Sequence, residues 1–138
     1  MNAIFFALLT ALFWGGASIL EKTGLKHIDP LTAVTWRSLV LTIILFSYNL
    51  AVRGGEKLIQ VDWRSLAFIV GAGIFSGLLA QITYFTALKT GEISRVVPIA
   101  GSYPLVAAIL AFLLLGEQLT WTKLLGIIFV ITGVFLLK

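Results

Sequence analysis

The 138-residue chain has no cysteine, a single histidine and only six acidic side chains. Without cysteine there is no disulfide, no iron–sulfur cluster and no thiol nucleophile, and the redox compartment stays open. The histidine, His27, falls in a loop. There is no phosphate-binding glycine loop, zinc spacing or Ser/His/Asp grouping, so nothing points to an enzyme, a primary pump or a bound cofactor. No Asp or Glu lies in the middle of an apolar stretch; Glu21 and Glu117 stand at ends. The titratable carboxylate that proton-driven antiporters usually hold inside the membrane is therefore missing. Charged residues make up 12% of the chain, about half of the roughly 25% usual in soluble domains. The ten basic residues raise the isoelectric point to about 9.7. They are scattered between apolar stretches rather than gathered into a patch, which argues against a nucleic-acid partner.

What fills the chain instead is hydrophobic residues, 59% of it, with a mean hydropathy of +1.06. They fall into five continuous stretches, approximately residues 4–20, 31–52, 66–88, 96–115 and 119–137. A hydrocarbon core about 30 Å thick needs roughly 20 helical residues, so each stretch predicts one crossing. Continuous rather than alternating runs exclude a membrane β-barrel. The expected fold is an all-α integral membrane protein, a single five-helix domain over residues 1–138 whose termini lie on opposite sides of the bilayer. Met1-Asn2-Ala3 lacks the basic lead of a signal peptide, and no clear Ala-x-Ala site follows, so the first stretch is expected to remain as a helix.

Glycine and proline punctuate the connections. Gly24 is a helix stop, Asp29-Pro30 opens the second helix, Gly54-Gly55 lies in the longest connection, and Gly116 begins a tight hairpin. Arg53, Lys57, Arg64 and Lys123 fall on the N-terminal side of the membrane, and Lys22, Lys26, Lys89, Arg95 and Lys138 on the other. Four against five is almost no bias, so the positive-inside rule leaves orientation weakly specified and insertion both ways round is one reading. The other is that local charges or the insertion machinery still select one orientation.

Several side chains are polar at membrane depth. The fourth stretch holds Pro98, Ser102, Tyr103 and Pro104, with Gly101 among them. Each proline lacks an N–H and frees a carbonyl one turn earlier, those of Ser94 and Ala100, and such breaks near the midplane are where carriers place solute and ion contacts. The bland alternative is a packing kink. In the third stretch Gly73, Gly77, Gln81 and Tyr84 follow helical spacing; the glycines suit close packing, whereas Gln81 and Tyr84 could hydrogen-bond a solute. Trp14 lies too deep for the interfacial belt and is a candidate cavity wall beside Gly15-Gly16. Arg37 is six residues into its stretch, placed either to snorkel to the headgroups or to pair inward, with Glu21 as partner. Gly126 and Gly133, one heptad apart in the last stretch, form a candidate dimer contact.

These elements together resemble the EamA-like branch of the drug/metabolite transporter superfamily. The likeness rests on Trp14-Gly15, Lys22, Pro30 and Arg37, and more specifically on Tyr84-Phe85-Thr86-Ala87-Leu88, Val97-Pro98-Ile99-Ala100, Tyr103-Pro104-Leu105-Val106, Leu114-Leu115-Gly116-Glu117, Leu125-Gly126-Ile127 and Thr132-Gly133-Val134. Full-length members have ten helices, built as two five-helix repeats of opposite orientation around a central cavity. The resemblance implies that this chain is one repeat of a ten-helix inverted-repeat transporter. It also implies that Trp14, Gln81, Tyr84, Pro98, Tyr103 and Pro104 line the cavity, and that Glu117 caps or pairs locally in a hairpin. The expected protein is a secondary transporter of small organic metabolites, amino acids or related solutes, in the prokaryotic plasma membrane. It works by alternating access as an antiparallel homodimer, its partners being the solute, the lipid bilayer and a second copy. One alternative is a small multidrug exporter, whose membrane glutamate in the first helix has no counterpart here. Another is a non-transporting subunit of a hetero-oligomer.

Overall fold

The computed structural model describes residues 2–118 and 120–136, with the backbone alone for Arg53, Lys57 and Ile59. Leu119, Leu137 and Lys138, to which the sequence reading extends, lie outside the described residues. All regular structure among the described residues is helical. The elements are α1 (Ala3–Gly24), α2 (Pro30–Arg53), the single turn α3 (Glu56–Ile59), α4 (Trp63–Gly73), a π-helical segment (Ile74–Leu79), α5 (Ala80–Thr90), α6 (Ile93–Ala100), α7 (Tyr103–Leu115) and α8 (Trp121–Leu136). Four continuous helical stretches are long and apolar enough to cross a bilayer: Ala3–Gly24, Pro30–Val52, Trp63–Thr90 and Ile93–Leu115. The fifth, α8, has 16 residues.

The helix limits follow from their caps. Asp29 accepts a hydrogen bond from the Thr32 N–H at 3.0 Å, and Pro30 occupies the first turn, where its missing N–H costs no ladder bond. Asp62 accepts from the N–H groups of Arg64 and Ser65 at 2.9 and 3.0 Å. That cap draws Trp63 into the helix, three residues ahead of the apolar run. Hydrogen bonding from Thr32 and from Ser65 holds the Asp29 and Asp62 carboxyls below the usual carboxylate range. Gly54 ends α2 and Gly116 ends α7, both left-handed at φ 63° and 66°, a conformation that would strain any residue with a Cβ. Within the helices, the hydroxyls of Thr10, Thr35, Thr86 and Thr132 donate to carbonyls four residues back, so they need no water.

The chain forms two compact units, Leu20–Lys89 and Met1–Ile19 with Thr90–Lys138. Among the described residues, the buried apolar side chains all belong to the first: Leu25, Ala33, Val34, Phe85 and Leu88, the last fully enclosed. In the second, Ser18 is buried while long rows of Leu, Ile and Phe are exposed. Trp63 and Trp121 are 80% and 82% exposed. Apolar surface on this scale would be prohibitive in water, whereas hydrocarbon covers it at no cost. Packing and composition agree: this is a multi-pass membrane protein.

Candidate functional site

The predicted crossing at 96–115 is two helices rather than one bent rod. The Gly101 N–H bonds to the Val97 carbonyl at 2.7 Å, then the pattern tightens, with the Ser102 N–H donating to the Ile99 carbonyl at 3.1 Å. The Ser102 hydroxyl donates to that same carbonyl at 2.7 Å. Backbone ψ falls to −7° at Gly101 and −1° at Ser102, which turns the chain before α7 begins. Pro104 then lies in the first turn of α7, where N–H groups have no intrahelical acceptor in any case. A Cβ on Gly101 would stand 3.0 Å from the Val97 carbonyl oxygen and 3.4 Å from that of Pro98. Any side chain there is accommodated only if this backbone yields by a few tenths of an ångström.

Tyr103, the first residue after this break, meets Trp14 of α1. Their ring centroids are 6.3 Å apart at 61°, an edge-to-face pair. Both rings remain more than half exposed, at 59% and 56%. The structure thus gathers Trp14, Ser102 and Tyr103 near one helix break, with Pro98 and Pro104 flanking the turn. Pro104 also shares a cleft of about 410 Å³ with Gly126, between α7 and α8. Gly133 is not among the residues lining that cleft.

Gln81 and Tyr84 lie on α5 in the unit Leu20–Lys89, both half-buried. Gly73 and Gly77, expected on the same stripe, are exposed, and nothing within 4 Å would meet a Cβ on either. The π-helical segment Ile74–Leu79 starts directly after Gly73 and contains Gly77. Its i→i−5 bonding, seen in the Ala80 N–H to the Phe75 carbonyl, puts extra residues into the turn and rotates the face that simple α spacing predicts. The sequence signal for it is a run of small residues, Gly71, Gly73, Ser76 and Gly77, which weakens the α ladder.

Arg37 pairs with Glu21 at 3.1 Å and lies 5.8 Å over the buried Phe85 ring. Its side chain is 41% exposed while it makes this pair. Neighbouring cations stitch the same helix ends. The Lys22 ammonium donates to the carbonyls of Leu88 and Lys89, and that of Lys89 donates to the Ile28 carbonyl at 2.8 Å. Phe85 and Lys89 were not expected in any such role; their signal is a basic residue within the last turn of α1 and of α5. At the α7–α8 hairpin, Glu117 lies 3.6 Å from Lys123.

The profile of the EamA-like transporter family matches residues 1–138. The chain belongs to this family. Among its relatives, an uncharacterized transporter in the cobO 3′ region of Sinorhizobium sp is 30% identical over 133 residues, covering 96% of this chain and 94% of that one. An uncharacterized transporter of Archaeoglobus fulgidus is 25% identical over 137 residues, covering 99% of this chain and 48% of its own. A probable amino-acid metabolite efflux pump of Escherichia coli is 24% identical over 143 residues, with coverages of 99% and 48%. This EamA-like chain therefore spans about half the length of the latter two relatives. No solved structure gives a significant match.

Proposed function

We propose that two copies of this chain, inserted in opposite orientations, form a ten-helix carrier that moves small organic metabolites across the cell membrane by alternating access. The observation that carries the reading is one of length. The family matches the whole chain, and the chain aligns with 94% of the Sinorhizobium relative but with only 48% of the Archaeoglobus and Escherichia ones. In this reading the rest of each longer relative is a second such unit, whose counterpart here is a second copy of the chain. Inverted pairs of this kind are a common basis of alternating access. The balanced lysine and arginine distribution supports insertion both ways round.

In this reading the break at Gly101–Ser102 is the hinge. Trp14, Ser102 and Tyr103 beside it are assigned to the solute pathway, as Gln81 and Tyr84 of α5 are in the other unit; Pro98 and Pro104 flank the bend. The surface of α8 around Gly133 joins the two copies. The efflux pump among the relatives is named for amino-acid metabolites, and zwitterionic or uncharged metabolites of that class suit a pathway of aromatic, amide and hydroxyl groups.

The test has two parts. Reporters fused to the C-terminus should label both sides of the membrane; a one-sided result removes the antiparallel homodimer and leaves pairing with a different five-helix chain. Reconstituted protein should exchange one or more solutes from a panel of amino acids and their derivatives. A dimer that moves none of them contradicts transport.

A further inference from the structure

We propose that the cleft between α7 and α8 is a lipid site that takes one acyl chain of a zwitterionic phospholipid, with the headgroup held by Glu117 and Lys123. Two facing stripes build it. On α7 the wall runs through Pro104, Leu105, Ala108 and Phe112; on α8 it runs through Gly126, Ile127 and Val130. These follow helical spacing on each side, so the cleft is a straight trough along the helix axes. Its volume of about 410 Å³ lies within the range of small-ligand sites. From Leu115 back to Pro104 is eleven residues, about 16 Å of helical rise. One leaflet of hydrocarbon is about 15 Å deep, half of the whole core.

The trough is polar at one end only. Glu117, Gln118 and Lys123 close it at the hairpin, and every other wall residue is apolar. Exposed Trp121 stands at the same end, where indoles mark the headgroup layer. An occupant must therefore have one apolar tail and one head, with the head at the membrane surface. The head is specified by charge. The Lys123 ammonium donates to the Gln118 carbonyl at 3.2 Å and lies 3.6 Å from the Glu117 carboxylate, and both side chains are more than half exposed, so each keeps room for a further partner. A lipid phosphate meets the lysine and an ethanolamine ammonium meets the glutamate, which matches both signs at once. An anionic lipid satisfies only the lysine and is repelled by the carboxylate.

The test uses the full-length protein in lipid nanodiscs of equal phosphatidylethanolamine and phosphatidylglycerol, transferred to mild detergent and weighed by native mass spectrometry. The wild type should retain phosphatidylethanolamine in preference. Lys123→Gln and Glu117→Gln should each lower that retention about tenfold, the worth of one hydrogen bond to a charged group. Gly126→Leu should abolish it. Nothing within 4 Å meets a Cβ at Gly126, and leucine is the better helix former, so this variant folds with its side chain in the trough. Gly126→Ala, one methyl larger, should keep the lipid. Unchanged retention in Gly126→Leu overturns the proposal, as does a wild type that carries neither lipid or holds both equally. If Gly126→Leu leaves the lipid count alone and lowers the dimer mass instead, the trough belongs to a second copy of the chain.

Discussion

Residues 20–89 hold their helices together through charge at the helix ends and a small buried cluster. Glu21 reaches Arg37, Lys22 reaches the last carbonyls of α5, and Lys89 reaches Ile28, all around Leu25, Val34 and Leu88. The unit formed by residues 1–19 and 90–138 has a broken helix, an exposed ring pair and a cleft. In lipid, apolar contact between helices is worth little because the solvent is itself apolar, so polar ties count for more. The first unit uses such ties at a fixed end. Both units leave long apolar faces to the lipid, and the second has its helix break at Gly101 and Ser102. Under the proposed function, the break at Gly101–Ser102 is where the backbone bends, and the tied helix ends of the first unit are where it does not.

The largest expected effect tests the tied helix ends. Glu21→Ala leaves the Arg37 cation without its carboxylate and should destabilise the protein by roughly 2 kcal/mol, less than for a fully enclosed pair because the arginine side chain is 41% exposed. Thermal unfolding followed by size exclusion measures it. The double variant Glu21→Gln/Arg37→Gln should recover more than half of the loss; no recovery would mean that the pair does not tie the helices. Next is the break itself. Gly101→Val places a side chain against two carbonyl oxygens and should cost about 1–2 kcal/mol, while transport falls further than stability does. Equal losses in both would remove the hinge from the comparison.

Tyr103→Ala removes the ring contact with Trp14, worth about 1 kcal/mol. Uptake should fall about tenfold if the hydroxyl meets the solute, and Tyr103→Phe should restore stability but not uptake. Wild-type uptake in Tyr103→Ala takes this residue out of the pathway. The smallest effect is on pH. The Asp29 and Asp62 caps, both in the first unit, have folded pKa values lowered by their hydrogen bonds. Their contribution is complete above the unfolded value of about 3.9 and is lost as pH falls from there through the lowered folded value. Asp62→Asn keeps a capping oxygen, so acid titration of helix content should show a shallower loss in that variant. An unchanged slope would exclude Asp62 as the titrating group.

Most of the fold was legible because lipid imposes long apolar runs and loops use glycine, proline and aspartate where the backbone turns. Gly24, Asp29-Pro30, Gly54 and Gly116 all mark real helix limits. Limits drifted where a polar residue extends a helix beyond its apolar run, as Asp62 does for Trp63. The candidate site was less legible. Pro98 and Pro104 announced a disturbance, but the turn falls between them: Pro98 lies inside α6, and Pro104, in the first turn of α7, interrupts nothing. The stripe through Gly73 and Tyr84 assumed an unbroken α period that the π-helical segment does not keep. The Arg37–Glu21 pair could be guessed from position, whereas Lys89 reaching Ile28 depends on which helix ends adjoin, and spacing along one chain does not encode that.

The hydroxyls of Thr10, Thr35 and Thr132 are spent on the carbonyls of their own helices. Toward lipid each of these side chains therefore presents little but its methyl group and behaves much as a valine would. Three residues that count as polar in the sequence thus leave the hydrocarbon-facing surface of their helices unbroken.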